Sequence, residues 1–234
     1  MKLLVISPTP SVEAAARMVS TARLVGIEPE LYGFTSNHPG GSDYQGTDVV
    51  TLLTARTEAE YVMCVDAFDV AFLAGEEEIL GKFSRFPHPF VMSAERTGVG
   101  GLRKTKDELQ KQCNAAGGQF AQPNIGCWIG EREYVLKCYT EADRLYRDNP
   151  EDVDYNYYNH YQWLAMMKAW GGGPEFCLDY NAEIFQSMDQ AEVTWDLDEK
   201  RVRNDATATW PCILHYHGDP TRVAFNLTVN RLLG

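Results

Sequence analysis

Two aspartates, Asp66 and Asp69, and two late histidines, His215 and His217, are the residues of this chain best suited to chemistry. The aspartates lie in YVMCVDAFDVAF, residues 61–72. Tyr61 to Val65 is an apolar, β-branched run that reads as a buried strand. Residues i and i+3 of a strand point to opposite faces. If both carboxylates serve one site, the chain must turn at Asp66, just past the end of that strand. Open α/β sheets bind their ligands at such strand ends. Two close carboxylates repel, and a divalent cation offsets the repulsion. The histidines follow a second apolar strand, PCILHYHG, residues 211–218. Two carboxylates and one imidazole suit Mn²⁺ or Mg²⁺ with positions left open. Such a cation would clamp a diphosphate and neutralise a leaving group. The remaining histidines, His38, His88 and His160, sit in loop-like contexts.

Elements must exist to bring these residues together. Residues 2–7 read as strand one, and its apolar core, Leu3–Ser7 at most before Pro8 breaks it, is too short for a secretory leader. Ser11 reads as an N-cap, with Val12, Ala15, Ala16, Val19 and Ala22 at helical spacing and Gly26 closing the helix. Glu30–Phe34 reads as a second strand. A loop is expected over 35–47 and a helix over Asp48–Ala59. Glu76–Phe86 reads as a helix with three acids in its first turn, and Pro89–Ser93 as a strand. A strand over Ile125–Gly130 and an amphipathic helix over Arg132–Tyr146 follow. Gln162–Trp170 continues as helix. Phe176–Asp179 and Glu183–Gln186 read as short strands, 189–205 as irregular, and about 221–232 as a last helix.

This alternation predicts an α/β fold in one domain over 1–234, a Rossmann-type mixed sheet flanked by helices. The nucleotide-binding half is placed at about 1–95 and the acceptor and metal-completing half at about 96–234. The G-x-G-x-x-G fingerprint is absent after strand one, which disfavours NAD and FAD. The P-loop and the G-x-S-x-G elbow are also absent.

Composition narrows the partners. The 234 residues include 33 acids and 21 bases, a formal net charge of −12, which disfavours nucleic acid and anionic membrane. The basic concentration in the chain is 96–111, with Arg96, Arg103, Lys104, Lys106 and Lys111. It reads as a solvated loop and helix face, with a lid over phosphates as the alternative. No run of apolar residues is long enough for a transmembrane helix. The six cysteines form no C-x-x-C pair and mostly lie in apolar runs, so they are expected as free thiols in a reducing, cytoplasmic compartment.

Five segments in order resemble the glycosyltransferase domain of the collagen lysyl hydroxylases, a GT-A-type family. VDAFDVAF resembles its D-x-x-D segment, and FVMSAE (90–95) follows at a similar spacing across EEILGKF. PNIGCWIG (123–130) resembles N-S-G-G-F-I-G. LDYNAEIFQSMD (178–189) resembles an L-D-…-I-F-Q-N-L segment. PCILHYHGDPTR (211–222) resembles an apolar strand followed by H-G-N-G-P-T-K. The resemblance runs over about 60–232, and the first 60 residues share only the strand–helix opening.

The resemblance implies a metal-dependent transfer of a hexose from a UDP-sugar to an acceptor hydroxyl of a protein side chain, glycan or modified nucleobase. It implies Asp66, Asp69 and His215 as ligands for Mn²⁺ or Mg²⁺, with His217 as the alternative if the H-G step is matched instead. Phe68 falls where the family stacks an aromatic ring on uracil. Glu95 and Asn124 would line the sugar or acceptor side, Gln162 and Gly218 keep the family's residue, and Arg222 replaces a lysine near the diphosphate. One departure matters. NHYQWL (159–164) replaces a run of aspartates, leaving His160 and Tyr161 in place of acids. Asp152, Asp154 and Glu95 are then the candidate catalytic carboxylates. The family's early lysine has Asp48 as its nearest match. Without accompanying hydroxylase domains, a free-standing microbial or phage enzyme is expected. The departure also motivates a catalytically degenerate sugar-nucleotide-binding module, and D-x-x-D with histidine suits a metal-dependent nucleotide-sugar hydrolase.

Overall fold

The structure, a computed structural model, describes residues 3–9, 11–32, 43–98, 103–148, 159–217 and 221–234, without side chains at 43–48, 146–147, 159–161 and 222. The opening is a parallel β-α-β unit. Strand β1 (Leu3–Pro8) leads into helix α1 (Val12–Leu24) and strand β2 (Glu30–Tyr32). The Ser11 hydroxyl accepts a hydrogen bond from the Ala14 N–H, as an N-cap should. Gly26, at φ +78°, takes the left-handed conformation that ends the helix. Strand β2 falls within the expected Glu30–Phe34, of which residues 33 and 34 lie outside the described residues, and helix α2 (Asp43–Ala55) begins inside the stretch expected as loop.

Strand β3 (Tyr61–Val65), strand β5 (Phe90–Glu95), strand β6 (Gln122–Glu131) and strand β7 (Cys177–Leu178) complete a six-stranded sheet in the order β2-β1-β3-β6-β5-β7. Strand β6 runs antiparallel to both β3 and β5, while the remaining pairs are parallel. The expected mixed sheet is therefore present. Strands from before and after residue 96 interleave within it.

Both faces of the sheet are covered, which explains why YVMCV is apolar without alternation. Met63 and Val65 pack on one side with Ala15, Met18 and Ala22 of α1 and with Ile79 and Phe83 of helix α3 (Glu76–Phe83). Val62 and Cys64 pack on the other with Leu53 of α2 and Leu109 of helix α4 (Arg103–Ala115). Val135 and Tyr139 of helix α5 (Arg132–Asp148) and Leu164 of helix α6 (Asn159–Trp170) share that second core.

A second, three-stranded sheet joins two segments expected as strands to a third, β4, that was not expected. Strand β4 (Val70–Phe72), strand β8 (Phe185–Ser187) and strand β11 (Ile213–His215) form it in the order β4-β11-β8. Val70 and Phe72 face the α1–α3 core, while Ala71 faces Phe225 and Val229 of helix α7 (Arg222–Leu233). The stretch 189–205, expected to be irregular, contains an antiparallel hairpin of strands β9 (Val193–Asp196) and β10 (Arg201–Asn204). Its acids hid it. Asp196 accepts from the N–H groups of Asp198 and Glu199 in the turn, and Val202 is buried against α7. In the basic stretch, Lys106 donates to the carbonyls of Thr97 and Gly98, tying α4 back onto the preceding loop.

Two polar anchors hold the small sheet and the hairpin in place. The buried Asp179 carboxylate accepts three backbone N–H bonds, from Glu183, Ile184 and Phe185, each at 2.8 Å. An amide there would turn an NH₂ toward at least one of those donors. Asp179→Asn is therefore expected to lower the unfolding free energy by about 1–3 kcal/mol in urea titrations. The second anchor ties α3 to the hairpin. Arg201 binds the Glu78 carboxylate through both terminal nitrogens, at 2.7 and 2.8 Å, and Lys82 reaches it at 2.8 Å. Partial burial pushes the Glu78 carboxyl up, but Arg201 and Lys82 outweigh it and pull it down to about 2. A depressed carboxyl stabilises the fold above its unfolded value near about 4.3 and loses that contribution as pH falls. The wild type is expected to lose stability between about pH 4 and pH 2, and Arg201→Gln to flatten that slope in denaturant titrations at each pH.

Candidate functional site

The chain turns at Asp66, where it leaves one sheet for the other. Strand β3 ends at Val65 and β4 begins at Val70, so the D-A-F-D segment is the bridge between the sheets. The Asp66 N–H donates to the Gly126 carbonyl at 2.8 Å, closing the β3–β6 ladder by one further bond. Antiparallel pairing of β4 with β11 sets His215 opposite Val70. The Tyr216 N–H donates to the Asp69 carbonyl at 2.8 Å. The last residue of β11 is thereby fixed beside the D-x-x-D turn.

Asp66, Asp69 and His215 converge, with one donor atom from each lying within 4.8 Å of the others. His215 Nε2 stands 3.3 Å from an Asp66 oxygen and 3.5 Å from an Asp69 oxygen. Neither contact has hydrogen-bond geometry, and neither ring nitrogen has a hydrogen-bond partner among the described residues. The imidazole is 1% exposed, while the Asp66 and Asp69 side chains are 31% and 23% exposed. Burial works to lower the His215 pKa, but the two carboxylates outweigh it and hold it well above the usual imidazole value. A buried nitrogen aimed between two half-open carboxylates fits a hard divalent cation with a solvent-facing side. Phe68, between the acids, is 42% exposed and presents an apolar surface at the same mouth.

His217 goes elsewhere. Its Nε2 lies 2.8 Å from a Glu95 oxygen, and its Nδ1 lies 3.3 Å from the Ser187 hydroxyl. The Asn124 amide donates to the same Glu95 oxygen at 2.7 Å. Burial pushes the Glu95 carboxyl up, but His217 and Asn124 outweigh it and hold it below the usual range. Glu95 thus stays ionised although it is 6% exposed. The His215 and His217 rings, 5.1 Å apart, join the two clusters.

The structure brings together Asp66, Asp69 and His215, and beside them Glu95, Asn124 and His217. Gln162 is buried in α6. Arg222 begins α7 without a described side chain, and Asp152, Asp154 and Gly218 lie outside the described residues. Ser187 and Gly126 line the site without having been singled out for it. Ser187 carries no sequence signal beyond lying in FQSMD, whereas a glycine inside an apolar strand is a recognised sign of close approach.

All six cysteines are free and buried. Among the described residues, no helix is long and apolar enough to cross a membrane.

The chain is 25% identical over 239 residues to procollagen-lysine,2-oxoglutarate 5-dioxygenase 2 of Mus musculus, covering 96% of this chain and 31% of that protein. It is 25% identical over 252 residues to the multifunctional procollagen lysine hydroxylase and glycosyltransferase LH3 of Rattus norvegicus, covering 98% of this chain and 31% of that protein. The chain thus spans under a third of the length of these relatives. A glycosyltransferase involved in the glycosylation of the major capsid of PBCV-1 shares the fold, with a TM-score of 0.54, 10% identity, and coverage of 98% of this chain and 99% of the other. The model of the PLOD GT domain matches residues 1–232, so the likeness includes the first 60 residues. Matched over nearly its whole length, this chain belongs to the PLOD GT domain family, the glycosyltransferase domain of the procollagen lysyl hydroxylases.

Proposed function

We propose that this chain transfers a hexose from a UDP-sugar to an acceptor hydroxyl, with Mn²⁺ or Mg²⁺ as cofactor. The observation that carries the reading is the convergence of Asp66, Asp69 and His215 at the mouth between two sheets, within a glycosyltransferase domain. These three residues would hold the cation, which when bound supplies positive charge to the diphosphate of the donor. Phe68 would offer its exposed ring to the uracil, stacking at the edge of the metal site.

Glu95 is assigned to the acceptor side. A carboxylate held below its usual range is a weak proton acceptor at neutral pH, because a general base works best with a pKa near the working pH. Its depressed pKa favours electrostatic support of the developing positive charge on the sugar, or a hydrogen bond from the acceptor, over complete proton removal. His217 and Asn124 keep its carboxylate in one orientation. Asp152 and Asp154 remain candidates for the proton acceptor, with Gln162, Gly218 and Arg222 on the nucleotide-sugar side.

Among acceptors, a protein side chain is favoured, because the LH3 relative joins lysine hydroxylase and glycosyltransferase in one name. A glycan remains an alternative. The net charge of −12 disfavours a nucleobase within nucleic acid. Six buried, unpaired thiols support a reducing, cytoplasmic setting. The replacement of an acidic run by NHYQWL favours one second reading, a sugar-nucleotide-binding module without turnover.

Incubation with several UDP-sugars, Mn²⁺ and candidate acceptors separates these readings. Acceptor-stimulated UDP release is the expected outcome. Binding without release points to the module, and acceptor-independent cleavage to a nucleotide-sugar hydrolase. Asp66→Ala and Asp69→Ala are each expected to abolish Mn²⁺-dependent UDP binding in calorimetry, and intact binding in both would sink the metal assignment. His215→Ala is expected to behave like them. His217→Ala is expected to retain Mn²⁺-dependent UDP binding while transfer falls by about 100-fold, in line with loss of a positioned acid–base or charge-stabilising group.

A further inference from the structure

Gly126 carries no functional group, yet both halves of the site close on it. Strand β6 stays in register with β3 as far as Cys127 opposite Val65. Against β5 it pairs Trp128 with Met92 and then Asn124 with Ser93. One step along β5 therefore corresponds to four along β6, and residues 125–127 bulge out of that ladder. A bulge bends its strand and re-aims the residues on it, often beside a functional site. Gly126 is at the middle of this one. Its carbonyl accepts the Asp66 N–H at 2.8 Å. Its N–H donates to the Asn124 side-chain oxygen at 2.9 Å, and Asn124 in turn holds Glu95.

Conformational freedom does not explain a glycine here, because Gly126 is not among the residues with positive φ. Space does. A Cβ at this position would lie 2.5 Å from Asp66 Oδ2 and 2.5 Å from His215 Cε1. The crowded atoms belong to the triad's own side chains. The half-exposed Asp66 carboxylate can swing toward solvent, but the buried His215 ring is boxed in. An alanine would therefore spread the ligands while leaving the strand ladder in place. Gly130, four residues along the same strand, differs. A Cβ there would meet Val135 Cγ2 at 2.5 Å, the Pro89 carbonyl oxygen at 2.7 Å and Phe90 Cα at 3.1 Å, so it would crowd core and backbone.

We propose that Gly126 is a positioning residue of the cation site, its missing side chain leaving the room in which Asp66 and His215 approach one metal. This rests on the metal reading of the triad. The test uses the full chain, titrated with Mn²⁺ while free Mn²⁺ is followed by electron paramagnetic resonance, beside metal-free thermal melting. The wild type is expected to bind Mn²⁺. Gly126→Ala is expected to bind about 10-fold more weakly or worse, the scale seen when the support of a ligand is lost, with its metal-free melting close to wild type. Gly130→Ala is expected to do the reverse, melting earlier while its folded fraction keeps wild-type affinity. Gly126→Ala with wild-type affinity overturns the inference. So does a Gly126→Ala chain that fails to fold or melts as early as Gly130→Ala, because the glycine then serves packing. A wild-type chain that binds no Mn²⁺ overturns the metal reading itself, and this inference with it.

Discussion

Two carboxylates are held against one buried imidazole, and the surrounding structure is arranged to make that tolerable. Asp66 and Asp69 would repel each other if left free to choose, and His215 is too buried to be satisfied by water. Backbone hydrogen bonds leave them little choice. The Asp66 N–H is fixed to β6, the Asp69 carbonyl to Tyr216, and the His215 carbonyl to the Met188 N–H. Each comes from an element packed into a core, so the cost of bringing like charges together is offset by burial elsewhere.

The two sheets divide the labour. The six-stranded sheet supplies a rigid edge, sealed on both faces by helices, at which β3 stops. The three-stranded sheet carries the late histidine back to that edge, although His215 lies far from Asp69 in sequence. Between them, the antiparallel β6 makes the connection. It pairs with β3, bulges away from β5 and presents Asn124 and Gly126 to the two halves of the site. Precision at strand ends comes from such ladders, because each hydrogen bond fixes the next residue's direction.

Electrostatics give the two halves different characters. At the triad, the buried imidazole faces two carboxylates that are themselves partly open to solvent, a setting that welcomes a cation. At Glu95, the carboxylate is already satisfied by Asn124 and His217 and is nearly sealed from water. The first is an incomplete charge arrangement and the second a nearly complete one. That contrast is consistent with the proposed division into a cation-holding donor side and an acceptor side with a fixed, ionised group.

Much of this was legible in the residues alone. The apolar run before Asp66 specified a buried strand, the i, i+3 acids called for a turn if both were to serve one site, and Ser11 and Gly26 marked the limits of a helix. Local pattern sufficed for these because strand burial, turning and capping act within a few residues. The partner of the aspartates was less legible. Histidines stand at 215 and 217, and in the sequence both follow the same apolar run. Antiparallel register of β4 on β11 set His215 against the acids, while His217, two residues past the strand end, meets Glu95. Two strands of the small sheet, β8 and β11, overlap segments expected as strands, but β4 and the pairing of all three were missed, because β4 is three residues long, too short for periodicity, and its partner lies far along the chain. The room left by Gly126 was hidden for the same reason. Sequence determined which residues could bind and where the chain would turn. Tertiary pairing decided which of them meet, because register and close approach depend on contacts between distant segments that no local pattern encodes.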